Sequence, residues 1–137
     1  MAKAPEPSEL AEAAAIRTLE RLPGLANADA QLVQRGRFLS TECLIEVGTV
    51  PFHLTIGAGR VVALERGPRP MTSWSFAIRA SAQAWLRFWA PVPAPGWHDV
   101  FALTRHGEAT VEGQILPLMQ NLQYFKDLLA LPRKASG

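Results

Sequence analysis

The stretch from Val50 to Ile56 constrains this chain more than any other. Val50, Phe52, Leu54 and Ile56 are apolar while His53 and Thr55 fall between them, the period of two expected of a strand with one face buried. Turns bracket it, Gly48-Thr49 before and Gly57-Ala58-Gly59 after, and glycine tolerates the positive φ that tight turns require. The flanking runs Arg37 to Val47 and Arg60 to Arg66 are apolar and β-branched enough to be strands, so the three make an antiparallel meander.

Around it the period is helical. Ser8 is placed to cap a helix with Glu9 and Glu12 in its first turn, running to about Leu22, where Pro23-Gly24 stops it. Asn27 to Gln34 is ambiguous between loop and short helix. After Gly67-Pro68-Arg69-Pro70, Trp74, Phe76 and Ile78 alternate with Ser75, Ala77 and Arg79 as a fourth strand. Ser81 then caps a helix that lays Ala82, Trp85, Leu86 and Trp89 on one stripe, and Pro91, Pro93, Pro95 and Gly96 end it in a stiff loop. His98 to Thr104 is read as a further helical turn, and Gly107 to Gly113 as a short fifth strand. Gln114 to Leu131 is the longest helix, with Pro117 in its first turn. One domain is expected over residues 8–131, between flexible tails at 1–7 and 132–137.

Composition narrows the function classes. With 48% hydrophobic and 19% charged residues, the 137-residue chain has the balance of a folded protein. A domain of this length buries roughly two-thirds of the surface its unfolded form exposes. The net charge of +2 is spread along the sequence without the clustering that a nucleic-acid-binding face needs. Cys43 is the one cysteine and sits in an apolar strand, so it reads as a small buried hydrophobe, in keeping with a reducing compartment. The first residues lack an apolar signal core, and no stretch of about 18 apolar residues occurs. A cytoplasmic location is expected.

The last helix carries more apolar surface than one contact explains. Ile115, Met119, Leu122, Phe125 and Leu129 make one stripe, and Leu116, Tyr124 and Leu128 add an offset second. A ligand cavity, a partner or more of the same chain can cover the surplus. Four tryptophans and six phenylalanines raise the same question, since aromatic side chains line cores and pockets alike. Met71 and Met119 suit an irregular guest or simply fill gaps.

Signs of catalysis are missing. His53, His98 and His106 lack the paired spacing of a metal site, and His53 lies on the polar face of its strand, where a solvated or hydrogen-bonded ring is expected. Glu108 and Glu112 share one side of a strand but stand about 13 Å apart by strand rise, wide for paired carboxylates. No nucleophile elbow, dinucleotide fingerprint or phosphate loop is present.

Phe101, Gly107, Thr110-Val111-Glu112-Gly113, Leu118-Met119 and Asn121-Leu122, together with Phe52-His53-Leu54-Thr55-Ile56, Gly59-Arg60-Val61-Val62 and the helix start at Ser81, resemble the sterol carrier protein 2 (SCP2) domain family. The resemblance spans Gly36 to Leu129; Gln114 replaces an aspartate common in relatives, and the Pro91-to-Pro95 loop is particular to this chain. It implies an α+β fold, a five-stranded mostly antiparallel sheet covered by helices, with an apolar tunnel between them for fatty acyl, isoprenoid, quinone or sterol-like lipids. Bacterial relatives include stand-alone domains and accessory factors of ubiquinone biosynthesis.

The expected function is therefore non-catalytic binding or transfer of an apolar, lipid-like molecule, with no cofactor, no metal and no nucleic acid. Phe52, Leu54, Trp74 and Phe76 from the sheet would face Trp85, Trp89, Met119, Leu122 and Phe125 from the helices. The alternative is an interaction module for a lipid or quinone biosynthetic assembly, docking a protein or a second copy through the last helix. Peripheral membrane contact fits either.

Overall fold

The computed structural model describes residues 7–67 and 74–135. The chain opens with three helices, α1 (Pro7–Leu19), α2 (Leu22–Ala28) and α3 (Ala30–Arg35), then forms β1 (Thr41–Val47), β2 (Val50–Gly57) and β3 (Arg60–Arg66). β4 (Phe76–Ala80), α4 (Ala82–Phe88), α5 (Val100–Arg105) and β5 (Ala109–Gly113) follow, and α6 (Leu116–Gln120) and α7 (Leu122–Ala135) end it. Met71 lies outside the described residues.

The five strands make one sheet in the order β3-β2-β1-β4-β5. The meander pairs antiparallel as expected, β4 joins β1 in parallel, and β5 runs antiparallel to β4. The pairing aligns Cys43 with Leu54 and Phe76, and Ile45 with Phe52 and Ile78, so their side chains share one face. Side chains from all seven helices complete a single core on that face. The strand alternation thus decides which face the helices cover.

Proline and asparagine account for where the helices differ from expectation. Pro23 opens α2 instead of ending α1, because an N–H is dispensable in a helix's first turn. Asp29 then ends α2 and caps α3, its Oδ1 accepting from the Leu32 N–H at 3.0 Å. The expected single helix from Gln114 is two. Asn121 breaks it at φ −125°, ψ 38°, its side-chain amide donating to the Pro117 carbonyl at 3.0 Å, the local bond by which asparagine competes with the helix ladder. Beyond the break, α7 continues through Pro132 to Ala135, past the expected end at Leu131. Pro132 offers no N–H to the Leu128 carbonyl four residues earlier, and the next carbonyl, that of Leu129, accepts the Trp89 indole N–H at 2.7 Å.

Two close approaches seat α7 on the sheet. Gly59, at φ +81°, has so little room that a Cβ there would lie 2.6 Å from the Val33 carbonyl oxygen and 2.7 Å from the Gly36 carbonyl carbon. Its own carbonyl accepts the Tyr124 hydroxyl at 2.8 Å, and a Cβ on Gly36 would overlap the Tyr124 ring. At the sheet edge, Asn27 of α2 clamps Val61 of β3: Nδ2 donates to the Val61 carbonyl at 3.0 Å and Oδ1 accepts its N–H at 2.9 Å. This covers part of an edge that would otherwise invite pairing.

Candidate functional site

The nine side chains expected around a ligand divide into two groups. Phe52 and Leu54 of β2, Phe76 of β4, Trp85 of α4, Trp89 just past it and Phe125 of α7 are all buried on the helix-covered face. Phe76 and Phe125 meet edge to face with centroids 5.3 Å apart, and Trp85 and Trp89 stack at 5.1 Å. Both indole N–H groups are satisfied inside this cluster, Trp85 by the Glu46 carbonyl at 3.0 Å and Trp89 by Leu129. The chain's own rings therefore occupy much of the space between sheet and helices.

Trp74, Leu122 and Met119 form the second group. The first two are half-buried and the third is exposed. Gly113 governs this region. At φ +94° it turns the chain out of β5, and a Cβ there would stand 2.6 Å from the Ser75 oxygen and 3.1 Å from Trp74 Cζ3. The next residue, Gln114, donates its N–H to that Ser75 oxygen at 2.7 Å. α6 follows, burying Leu118 while leaving Ile115, Leu116 and Met119 to solvent. From Met119 through Leu122 to Phe125, an apolar run leads from solvent into the core.

The second apolar stripe of α7 is covered by the chain itself. Tyr124 and Leu128 are buried, and α7 packs on α2 and α3. Open surface hollows of about 490, 440 and 360 Å³ lie along α1 and α3, and none of these three is lined by any of the nine.

Polar groups near the core are structural in their geometry. Burial pushes the Cys43 thiol up to about 12, which suits a small buried hydrophobe. Burial first, then the neighbouring Cys43, raises Tyr124 to about 12. His53 is only 5% exposed, so of the two alternatives, a solvated or a hydrogen-bonded ring, burial removes the solvated one. It lies on the opposite sheet face beside Leu44, its Nε2 3.4 Å from Glu42 Oε2 and its Nδ1 without a partner. On the same face Arg79 joins Glu46 and Glu112 across three strands, a network not foreseen from sequence because the β1–β4 pairing is non-local. Among the described residues no three His, Cys, Asp or Glu side chains gather as a metal site. No described helix is long and apolar enough to cross a membrane.

An open five-stranded mixed sheet with one parallel pair, its helices gathered over a single face and an apolar run entering beside the last helix, defines the class of this domain. Among solved structures, a sterol carrier protein 2 crystal structure superposes with TM-score 0.67 at 14% identity, over 86% of this chain and 95% of that one. A conserved hypothetical protein from Thermus thermophilus, described as possibly a sterol carrier protein, gives TM-score 0.62 at 13% identity, over 86% and 85% of the two chains. A UbiJ-SCP2 ubiquinone synthesis protein gives 0.53 at 20% identity, over 96% and 98%. No family model matches the sequence, and no curated protein does. At these identities the likeness establishes the fold: the chain has the SCP2 fold, as the residues from Gly36 to Leu129 suggested.

Proposed function

We propose that this protein binds and carries an apolar, membrane-derived molecule of the fatty acyl, isoprenoid, quinone or sterol-like class, and catalyses no reaction on it. The observation that carries this reading is the apolar run from exposed Met119 through half-buried Leu122 to the buried Phe125–Phe76 pair, in a fold shared with sterol carrier protein 2. A guest would enter beside α6, displace ring contacts between β4 and α7, and bury its chain against Phe52, Leu54, Trp74, Trp85 and Trp89. The break at Asn121 favours this, because α6 can shift without unwinding α7. Binding would come from apolar burial, about 25 cal/mol per Å² before ordering costs, so chain length should matter more than headgroup.

Mass spectrometry of an organic extract of the purified protein tests this. Co-purified lipid is the expected result. Protein that is empty and shows no thermal shift with acyl or prenyl lipids would refute it.

A second reading, an accessory module of a quinone-forming assembly, is favoured by the near-complete mutual coverage with the UbiJ-SCP2 ubiquinone synthesis protein. It predicts a stable complex with another protein, seen as a concentration-dependent increase in mass by light scattering of the mixture.

A further inference from the structure

From the surface of α6 we infer that this helix docks the protein on an electrically neutral lipid bilayer, with Ile115, Leu116 and Met119 entering the interface. This rests on the carrier reading, since a chain that takes up a membrane-derived molecule must meet the membrane near the way in.

The three side chains are 44, 63 and 53% exposed, and they sit within a stretch of sequence from Gly113 to Phe125 that contains no charged residue. Insertion there would dehydrate no ion. The charges bounding the stretch are paired: Glu112 with Arg79 at 2.7 Å, Lys126 with Asp99 at 3.0 Å and Asp127 with Arg35 at 2.7 Å. The stretch that carries α6 thus has no charge of its own, which suits zwitterionic headgroups and offers anionic lipid no cation within it.

Area separates a bilayer from a second copy of the chain. Those fractional exposures amount to about 160 Å² of apolar side chain, taking about 100 Å² per side chain as its burial energy implies, whereas a stable protein pair buries about 800 Å² on each partner. A patch that small, convex on a short helix, suits shallow insertion between headgroups.

The test is flotation of the full chain with phosphatidylcholine vesicles, alongside binding of a fluorescent polyene fatty acid in vesicle-free buffer. Wild-type protein should float with the vesicles, unchanged by added phosphatidylserine or by raised salt. The double variant L116S/M119S should partition at least about tenfold less, because it loses most of the inserted apolar surface, while keeping its far-UV spectrum. Met119→Leu should float like wild type. Wild-type protein left behind by neutral vesicles, a double variant that floats equally well, or binding that needs anionic lipid would each overturn the inference. A dimer dissolved by the same two substitutions would also overturn it, in favour of a self-association surface. Vesicle binding without fatty-acid binding would instead sink the carrier reading alone.

Discussion

Replacing Gly59 with alanine perturbs the junction that seats α7, and its cost can be worked from two separate sources. The residue sits at φ +81°, where a Cβ costs about 1–2 kcal/mol. That Cβ would also lie 2.6–2.8 Å from three backbone atoms of Val33 and Gly36, which cannot swing aside as a side-chain tip would. Overpacking of this kind costs about 1–3 kcal/mol, so the sum is about 2–5 kcal/mol against a typical total of about 5–15. Gly107 isolates the first source: its φ is +76°, but nothing lies within 4 Å of the position a Cβ would take, so Gly107→Ala should lose only about 1–2 kcal/mol. Gly24, in α2 with open space around it and no positive φ, should gain about 0.5–1 kcal/mol as alanine. Urea unfolding followed by tryptophan fluorescence gives all three midpoints. A Gly59→Ala midpoint no lower than that of Gly107→Ala would refute the close-packing argument, and a lower midpoint for Gly24→Ala would refute the propensity argument.

Stability should fall as pH rises above about 9: Cys43 and Tyr124 hold their protons more tightly folded, near 12, than at their ordinary values of 9.0 and 10.0, so the unfolded state releases protons first. Cys43→Ala should flatten the early part of that decline in urea midpoints measured across the range. Asn27→Ala should remove both clamps on Val61, lose about 1–3 kcal/mol, and speed amide exchange at Val61 more than in β1. Ala58, at φ +51° beside Gly59, should gain stability as glycine, by up to about 1 kcal/mol in the same urea assay. Trp89→Phe should lose about 1–2 kcal/mol by leaving the Leu129 carbonyl without its indole donor, with the thermal midpoint as the readout.

The meander was legible because its signals are local. Each apolar alternation occupies one strand, each turn carries its glycine, and Ser81 caps α4 as its position before an apolar stripe suggests, accepting from the Ala84 N–H at 3.0 Å. The helix breaks were less so. Pro23 reads as a stop and acts as a start, since the same missing N–H serves both ends, and Asn121 gives no sign in sequence that its amide will fold back on Pro117. Non-local features left no trace at all: the parallel β1–β4 pairing, the Arg79 network, and the burial of His53 opposite Leu44 all depend on which strand lies beside which. Within the candidate site, sequence identified apolar residues correctly as inward-facing at Phe52, Leu54, Phe76, Trp85, Trp89 and Phe125. It could not tell side chains that fill the interior from side chains that border a guest, because both need the same hydrophobic faces.

That distinction reshapes the argument from apolar surplus. A helix with two apolar stripes must be covered twice, and counting residues does not say by what. In α7 the second stripe, Tyr124 and Leu128, is covered by α2 and α3, so it needs neither a guest nor a partner. The surplus instead resides in α6, which ends at the Asn121 break and has Leu118 buried but Ile115, Leu116 and Met119 exposed. A continuous helix would have carried its first stripe over the sheet in one piece. The break is therefore what creates an exposed apolar element next to a buried one, and an Asn121→Ala substitution that fused α6 with α7 would change the surface offered to lipid while leaving the aromatic core in place.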